Sequence, residues 1–389
     1  KGNKIYDIAI IGAGASSLML ASKLDKKKYK NICIIDANQK VGPKIKVSGG
    51  AKCNITNELV SSKNYLGDRA FVKEILLKYS KDDLLKFLNK NGVNPKINPK
   101  IVKGTYFCNS SQDVIDMFLK ITTHVKKYLA TKVLDIENIN KTDFYKIKTN
   151  NQSIEARKVV IASGALSYPV LGASSIAFDI ASKYGHTIEK LEPALVGFTV
   201  QKDQFWFKNL SGVSTFVNTF VEGNKFEGSF LFAHKGCSGP VILTSSLYWK
   251  KGKLAIDFLP NKNMEDFFKS NKKISSILPL PKRFMEEFLK SIDLEDKAIS
   301  SLRAEEREKL SSLKYYEFSP AGNFGYTKAE VTRGGISTDE IDHNSFESLK
   351  QKGLYFIGEC LNITGELGGF NFQIAFAQAN ICAKELNKL

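Results

Sequence analysis

The sequence predicts an α/β protein in which the two ends of the chain form one domain and the middle forms a second, inserted domain. Three observations lead to this prediction. Residues 6–11 (YDIAII) are a nearly continuous apolar run, as in a buried parallel strand, and a glycine-rich turn and a helical pattern follow. Residues 353–386 repeat the order of strand, polar turn and helix. Residues 213–221 (VSTFVNTFV) instead alternate in polarity, as antiparallel strands do.

Length and composition indicate a globular protein of two or three domains. The chain has 389 residues, more than one hydrophobic core usually supports. No apolar run reaches the roughly 18 to 20 residues of a membrane span, so we expect a soluble, cytoplasmic protein. The six cysteines show no CxxC pair, and we therefore expect neither a disulfide framework nor a metal site.

The net charge of +17 arises from 57 basic and 40 acidic residues, and it suggests a polyanionic partner such as nucleic acid. Only six of the basic residues are arginine, whose planar, multi-donor head is favoured at RNA-contacting surfaces. An AT-rich genome would produce the same excess of lysine. The charge alone therefore leaves both explanations open.

The first glycine-rich turn has the pattern of a dinucleotide-binding βαβ unit. Gly12 allows the tight turn after the strand, and Gly14 lets the backbone approach a pyrophosphate. Ala15 and Ser16 open the helix, whose free N–H groups and partial positive charge favour that anion. The second apolar run ends at Asp36, where a carboxylate accepts both ribose hydroxyls and disfavours a 2′-phosphate. The pattern predicts a Rossmann-type site for a dinucleotide that is not of the NADP type.

One position of this turn departs from the usual pattern. Ser17 stands where a third glycine normally permits close packing of helix on strand. A serine fits there with a slight displacement, and the surrounding strand, helix and acid keep the prediction strong. No second turn of this kind follows a strand, so we predict a single dinucleotide fold.

The C-terminal segment predicts a second ligand-binding turn and favours a flavin over NAD. A reduced isoalloxazine carries negative charge, and the free amides at a helix start stabilise that charge. Here a strand at 353–357 and a Gly-Gly pair precede a helical pattern at 372–386. Glu359 would reach the ribityl chain or the diphosphate. The predicted contacts of this segment are Gly358, Glu359, Gly368, Gly369, Phe370 and Asn371.

Segments along nearly the whole chain resemble the BaiN/YhiN-like (RdsA-like) FAD-dependent oxidoreductases. In order, they are KIKVSGGAKCNITN (44–57), PALVGF (193–198), FAHKGCSGP (232–240), AEVTRGGI (329–336), GLYFIGE (353–359) and GELGGFNFQIAFAQA (365–379). The resemblance implies non-covalent FAD. It also implies that the first segment lines the FAD through Lys44, Ser48, Gly49, Gly50, Cys53 and Asn54.

The chain departs from the family pattern at three places. Asp36 stands where glutamate is common, and an aspartate still binds ribose. Lys52 replaces an arginine, and residues 362–364 replace a turn that bears an aspartate. These last two changes alter charge or donor geometry, so the substrate-facing side is less well defined by the resemblance.

The order of elements predicts how the domains are divided. Amphipathic helices are predicted at 71–91 and 112–129, and strands at 132–136, 144–149 and 158–162. The last strand runs into Ser163 and Gly164, and Val133 matches the family position whose backbone meets the adenine. The FAD domain then comprises residues 1–194 and 336–389. We predict that residues 195–335 form an inserted β-barrel domain with a helical subdomain at about 263–313.

Two residues are candidates for proton transfer to the substrate. Cys53 lies beside Lys52 near a turn or helix start, either of which lowers a thiol pKa; the alternative, slightly preferred, is a cysteine packed against the flavin edge. His234 stands where a strand enters a loop bounded by Gly and Pro, although a lone histidine is usually structural or exposed. The other histidines have less support: His124 on a predicted helix, His186 after a helix stop and His343 in an acidic loop.

The resemblance implies an enzyme that reduces an activated C=C bond with electrons from NAD(P)H. Because one dinucleotide fold is predicted, NAD(P)H would visit the flavin transiently and leave before the substrate takes the hydride. Family activities include conversion of uridine to dihydrouridine in large-subunit (23S) ribosomal RNA and reduction of steroid-like enones. The alternatives are therefore an RNA-modifying enzyme, a small-molecule reductase or oxidase (enone, steroid-like or amine substrate), and a non-catalytic flavin-containing RNA-binding or assembly protein.

Overall fold

A computed structural model describes residues 4–98, 102–139 and 143–389. The chain divides into two compact units. The discontinuous unit comprises residues 1–192 and 331–389, and the inserted unit comprises residues 193–330. Within the described ranges, no helix combines the length and the apolar character needed to span a membrane. That the discontinuous unit binds the cofactor and that the inserted unit contributes to the substrate side remain predictions.

Strands and helices alternate at the start of the chain, whereas several strands followed by one helix form its end. In chain order the strands are β1 (Ile5–Ile11), β2 (Ile32–Ile35), β3 (Asn54–Asn57), β4 (Tyr65–Gly67), β5 (Lys96–Ile97), β6 (Thr105–Phe107), β7 (Lys126–Tyr128), β8 (Val133–Asn138), β9 (Tyr145–Thr149), β10 (Ser153–Ile161), β11 (Ile188–Ala194), β12 (Phe198–Val200), β13 (Ser214–Val221), β14 (Asn224–Ala233), β15 (Gly236–Ser238), β16 (Leu254–Asp257), β17 (Tyr316–Phe318), β18 (Pro320–Asn323), β19 (Val331–Ile336), β20 (Leu354–Phe356) and β21 (Ile363–Gly365). The helices are α1 (Ala15–Lys23), α2 (Pro43–Ala51), α3 (Arg69–Lys78), α4 (Lys81–Lys90), α5 (Ser111–Ile121), α6 (Ile176–Lys183), α7 (Pro240–Tyr248), α8 (Met264–Phe267), α9 (Ile274–Ile277), α10 (Lys282–Ser291), α11 (Ala304–Ser311) and α12 (Phe370–Lys388).

The central sheet of the discontinuous unit has the order β7-β2-β1-β10. The outer edge of β10 pairs with two further strands. The C-terminal half of that edge pairs in parallel with β20, and the N-terminal half pairs antiparallel with β9, which leads to β8. Strands β7, β2, β1, β10 and β20 are mutually parallel. Their carboxyl ends therefore share one edge, which is where a parallel sheet binds its ligand.

Burial explains why these strands are continuous apolar runs. All four residues of β2 are buried, and so are Ile8 to Ile11 of β1, because helices cover a parallel sheet on its faces. Helices α1 and α12, from opposite ends of the chain, pack against each other. Smaller sheets complete this unit: β3-β6-β5, β21-β4 and β11-β19.

Two predicted helices are shorter in the structure. The segment 71–91 forms α3 and α4 instead of one helix, because the Ser80 hydroxyl caps the N-terminus of α4 by accepting the Asp83 N–H at 3.2 Å. The helix predicted at 112–129 ends at Ile121, and β7 follows. His124 therefore lies in the connecting turn and not on a helix.

The inserted unit contains an antiparallel sheet in the order β17-β16-β13-β14-β15-β12-β18. Strands β13 and β14 form an antiparallel hairpin around residues 222–223. Residues 264–311 contain the short helices α8 to α11. The rings of Phe207, Phe230, Phe232, Phe258 and Phe284 are buried together in this unit. Closure of the sheet into a barrel remains a prediction.

Candidate cofactor site

In the turn after β1, backbone conformation and packing require a glycine at Gly12 but not at Gly14. A Cβ on Gly12 would lie 2.3 Å from the Ala162 carbonyl oxygen, and its φ is +105°. Both facts demand glycine. Gly14 has an ordinary φ of −92°, and no atom of the described chain lies within 4 Å of the position of its Cβ. Gly14 therefore borders open space at the start of α1, as a site for a pyrophosphate requires.

The serines at the start of α1 face the protein. The Ser17 hydroxyl is buried and donates a hydrogen bond of 3.2 Å to the Ala162 carbonyl, so a serine is accommodated where the third glycine usually packs. The Ser16 hydroxyl oxygen lies 2.7 Å from where a Cβ on Gly358 would stand, and Gly358 has a φ of +86°. The predicted contacts Ser16 and Gly358 are thus adjacent at the carboxyl edge of the sheet.

Asp36 follows β2 and accepts two backbone hydrogen bonds. Its Oδ2 accepts the Ala13 N–H and its Oδ1 accepts the Asn38 N–H, each at 2.7 Å. Burial raises the pKa of this carboxyl above its ordinary value, and the two N–H groups oppose that rise. The Thr131 N–H donates to the Asp36 carbonyl at 2.9 Å, which brings the segment that enters β8 at Val133 close to Asp36.

A second group of predicted residues converges after β10. Lys44 Nζ lies 3.0 Å from Glu359 Oε2, although the two residues are far apart in the chain. A Cβ on Gly164, whose φ is +74°, would lie 3.8 Å from Lys44 Nζ and 3.9 Å from Glu359 Oε2. The neighbouring Ser163 hydroxyl is buried and has no hydrogen-bond partner among the described residues. An unpaired buried hydroxyl is costly, and a bound polar group would relieve that cost.

Thr332 also lies at the candidate site, although it was not among the predicted contacts. Its N–H donates to Glu359 Oε1 at 2.9 Å, and its hydroxyl contacts the Ser167 hydroxyl at 3.0 Å. The Leu166 N–H also donates to the Thr332 hydroxyl, at 3.1 Å. Thr332 therefore holds Glu359 and the loop after Gly164 in one arrangement. The segment AEVTRGGI was the available signal, since it contains Thr332.

The C-terminal part of α2 is not helical, and two left-handed glycines shape it. After an extended Ser48, Gly49 and Gly50 have φ values of +57° and +63°. A Cβ on Gly49 would lie 2.9 Å from the Asn54 backbone nitrogen, so packing also requires this glycine. Gly50 has no described atom within 4 Å of its Cβ position, so it adjoins open space as Gly14 does.

The structure contradicts the expectation that the Cys53 thiol has a lowered pKa. Cys53 is fully buried, and the neighbouring Cys108 thiol together with burial raises the pKa of Cys53 well above its ordinary value. Lys52, beside it in sequence, does not reverse this. A thiol in this state is a poor proton donor near neutral pH, which favours the alternative of a packed, structural cysteine.

The start of α12 packs against β3. The Asn57 side-chain amide donates to the Gly368 carbonyl at 3.1 Å, and a Cβ on Gly369 would lie 2.4 Å from the Thr56 carbonyl oxygen. The Asn371 side chain forms hydrogen bonds with the N–H and the carbonyl of Gly365, at 2.8 and 2.9 Å. Gly368, Gly369 and Asn371 thus have structural roles besides the predicted contact with the flavin.

The predicted residues are divided unequally between the two units. All the predicted cofactor contacts lie in the discontinuous unit, which contains both glycine-rich turns. His234 lies in the inserted unit, where it is exposed in the turn between β14 and β15. No cluster of three or more His, Cys, Asp or Glu residues in the described ranges is arranged to hold a metal ion.

The residues present fit an FAD molecule. Among the described residues, Gly14 and Gly50 adjoin open space and the Ser163 hydroxyl has no partner. Asp36 stands at the end of β2. The fold and the site define an FAD-dependent oxidoreductase on a Rossmann-type fold. Over residues 6–385 the chain matches the family described as HI0933-like protein Rossmann domain. The chain belongs to this family.

Curated relatives match the chain along its whole length. The chain is 35% identical to a ribosomal RNA dihydrouridine synthase of Escherichia coli, over 98% of each chain. It is 33% identical to the protein of the same name in Haemophilus influenzae, over 97% of this chain and 98% of that protein. A 3-dehydro-bile acid delta(4,6)-reductase of Clostridium scindens is 25% identical, again over 97% and 98%.

Solved structures share the fold at low sequence identity. The 3-ketosteroid-delta4-(5alpha)-dehydrogenase of Rhodococcus jostii superposes with a TM-score of 0.53 and 11% identity, over 100% of this chain and 98% of that chain. The 3-ketosteroid delta1-dehydrogenase of Sterolibacterium denitrificans gives a TM-score of 0.50 and 12% identity, over 99% of both chains. At these identities the likeness concerns the fold alone.

Proposed function

We propose that this protein reduces uridine to dihydrouridine in 23S ribosomal RNA, with FAD as the cofactor and NAD(P)H as the electron donor. The observation that carries the proposal is the 35% identity, over 98% of each chain, to a protein named ribosomal RNA dihydrouridine synthase. A second relative of that name supports it. The net charge of +17 is in keeping with a polyanionic substrate.

In this proposal the chain binds and orients the cofactor through the residues described above. When bound, FAD supplies the hydride for reduction of the C=C bond. The Asp36 carboxylate accepts the ribose hydroxyls, and the backbone at Gly14 with the start of α1 receives the pyrophosphate. Lys44, Glu359 and Ser163 hold the polar part between pyrophosphate and ring. The N-terminus of α12 offers its partial positive charge to the ring.

Reduction of a C=C bond also requires a proton at the neighbouring carbon. Cys53 is poorly suited to donate it, because burial and Cys108 hold the pKa of its thiol well above the ordinary value. We retain His234 as the candidate, since it is exposed at the tip of a two-residue hairpin turn. His234→Ala should then lower uridine reduction while NAD(P)H still reduces the flavin. Equal loss of both activities would remove His234 from this role.

The test of the substrate is nucleoside mass spectrometry of 23S ribosomal RNA from a strain that lacks the gene. We expect dihydrouridine to be lost from this RNA and to return when the gene is restored. The matched control is the same strain carrying a Gly14→Val variant, which should express the protein without restoring the modification. An unchanged dihydrouridine content in the deletion strain would reject the RNA substrate.

A small-molecule reductase is the second candidate. The relative named 3-dehydro-bile acid delta(4,6)-reductase, at 25% identity over 97% of this chain, favours a steroid-like enone. Such a substrate carries little charge, so its turnover should respond little to salt. Salt-insensitive turnover of an enone, with dihydrouridine unchanged in the deletion strain, would move the assignment to this candidate. A pure protein that turns over neither substrate but binds RNA would instead support a non-catalytic role.

A further inference from the structure

A pocket of about 570 Å³ lies in the discontinuous unit, away from the predicted cofactor residues. It forms where the C-terminal ends of α1, α3 and α5 meet α4 and the middle of α12. Helix α1 has nine residues and is about 13 Å long, and its opposite end carries the dinucleotide turn. The pocket volume is within the range of small-molecule sites, which is roughly 300 to 1,000 Å³.

The lining of this pocket is strongly basic. It includes five lysines and one acid, Asp83. The lysines are Lys23, Lys26, Lys78, Lys86 and Lys90. The Asp83 carboxylate is already engaged, because its Oδ2 accepts the Ser80 N–H at 2.8 Å and the Ser80 hydroxyl at 2.9 Å. The local charge therefore favours an anion, and ammonium groups supply three donors each to its oxygens.

Tyr79 provides an independent indication of a ligand. It lines the pocket, and the residue is 5% exposed. Its hydroxyl is buried and forms no hydrogen bond within residues 4–98, 102–139 and 143–389. Burial, with the charge of Asp83, raises the pKa of this hydroxyl, so it stays protonated and can act as a donor. A buried donor without an acceptor costs stability unless a ligand supplies one.

Lys23 lies close to other positive charges in this pocket. Its ammonium lies 4.2 Å from the centroid of the Phe87 ring, and both residues line the pocket. Burial and the positive charge of Lys90 lower the pKa of Lys23. Repulsion between unpaired lysines is relieved when an anion binds among them.

We infer that this pocket binds a phosphate-bearing anion, with the lysines around it and Tyr79 as a hydroxyl donor. The same chemistry has two possible sources: the phosphodiester backbone of an RNA and a small phosphorylated molecule. The inference does not depend on the proposed function, because the pocket and its charge stand whether or not uridine is the substrate.

Binding should be measured on the FAD-loaded protein, so that the dinucleotide site is filled. The probes are inorganic tripolyphosphate, followed by titration calorimetry, and a fluorescent twelve-nucleotide oligouridylate, followed by anisotropy. The pocket variant combines Lys26→Gln, Lys86→Gln and Lys90→Gln. The control combines Lys63→Gln, Lys73→Gln and Lys384→Gln, which removes the same charge from exposed positions outside the pocket.

The pocket variant should weaken tripolyphosphate binding by about tenfold or more, and the control by less than about twofold. Loss of oligouridylate binding in the same variant identifies RNA as the source, and loss of tripolyphosphate alone identifies a small phosphorylated molecule. Equal losses in the pocket variant and the control, or no loss in either, would overturn the inference.

Tyr79→Phe gives a second, milder test that preserves the packing of the ring. It should weaken binding of the affected probe about threefold to tenfold, because a donor is lost. It should not lower the thermal midpoint of the ligand-free protein, since no described residue forms a hydrogen bond with the hydroxyl. A lower midpoint with unchanged affinity would mean that the hydroxyl serves the fold, and it would count against the site.

Discussion

Gly14 and Gly369 were both predicted to contact the FAD, and they lack a side chain for different physical reasons. At Gly369, with a φ of +91°, an added Cβ would stand 2.4 Å from the Thr56 carbonyl oxygen. At Gly14 the backbone is unstrained, and an added Cβ meets no described atom within 4 Å. A substitution at Gly14 therefore probes the ligand, whereas one at Gly369 also disturbs the chain.

Gly14→Val should fold normally and lose FAD. We expect FAD affinity to fall at least about tenfold, while the free energy of unfolding of the apoprotein changes by less than about 1 kcal/mol. Visible flavin absorbance per protein and urea unfolding measure the two effects. Gly322→Val is the control, because the Thr199 hydroxyl oxygen, at 3.4 Å, is the one described atom within 4 Å of a Cβ there. Retention of FAD by Gly14→Val would contradict the assignment of the turn.

Gly369→Val should instead destabilise the fold, by roughly 2 kcal/mol or more, because the side chain overlaps the backbone of β3. Loss of flavin in this variant would then have two causes.

Asp36 predicts how FAD binding depends on pH. Burial raises the pKa of its carboxyl in the ligand-free fold. Its contribution to folding stability is therefore present below the ordinary carboxyl pKa and is lost as pH rises through the raised value. FAD binding instead favours the deprotonated carboxylate, because the ribose hydroxyls donate hydrogen bonds to it. FAD affinity should thus fall as pH drops through the raised pKa of Asp36.

The measurement is the dissociation constant of FAD across the acid range, by flavin fluorescence. Asp36→Asn keeps the shape of the side chain and removes the titration, so its FAD affinity should be weaker and should change much less over the same range. Parallel pH profiles for Asp36→Asn and the unchanged protein would show that another group controls the dependence.

At the scale of elements, the break between α3 and α4 shows how a local cap overrides periodicity. Residues 71–91 have an amphipathic pattern that suits one helix, yet Ser80 and Asp83 form a reciprocal capping box. A cap of this kind satisfies N–H groups that a new helix start would otherwise leave unpaired. The break also places Tyr79 and Lys78 at the wall of the basic pocket.

Ser80→Ala should destabilise the discontinuous unit by about 1 kcal/mol, the usual cost of losing a serine cap. Urea unfolding measures it as a lower midpoint at an unchanged slope. The control is Ser182→Ala on α6, an exposed position within a helix where alanine should be neutral or slightly stabilising. A Ser80→Ala midpoint equal to that of the unchanged protein would mean that the cap contributes little.

For the whole molecule, the net charge of +17 is in keeping with the proposed RNA substrate. Lys272, Lys273, Lys282 and Arg283 are exposed on the inserted unit, and we expect them to contact RNA phosphates. Arg283 also donates to the Asn209 carbonyl at 2.9 Å, so the lysines are the cleaner sites for substitution.

The logarithm of the RNA affinity should fall linearly with the logarithm of the salt concentration, with a slope of about 0.7 to 0.9 per phosphate contact. Replacing Lys272, Lys273 and Lys282 by glutamine should reduce the slope by about 2 to 3 and weaken uridine reduction with it. Reduction of the flavin by NAD(P)H should be unchanged. A fragment of 23S ribosomal RNA titrated over a range of salt tests this, and an unaltered slope would remove these lysines from the interface.

The sequence by itself determined the elements whose signal is local. The apolar run of β1, the glycine turn, the start of α1 and the acid after β2 are predicted by periodicity and by residues a few positions apart, and the structure confirms these elements. The C-terminal strand and α12 are confirmed for the same reason. Local preference and tertiary packing agree at these places.

Only the tertiary structure decided what depends on residues distant in sequence. It shows that Gly12 abuts Ala162, that Lys44 pairs with Glu359 and that Thr332 holds Glu359 in place. It also shows that Cys53 meets Cys108, which reverses the expected direction of its pKa shift. The physical reason is that burial, charge and close contact at a site arise from segments brought together by folding, and one-dimensional patterns carry no record of those distances.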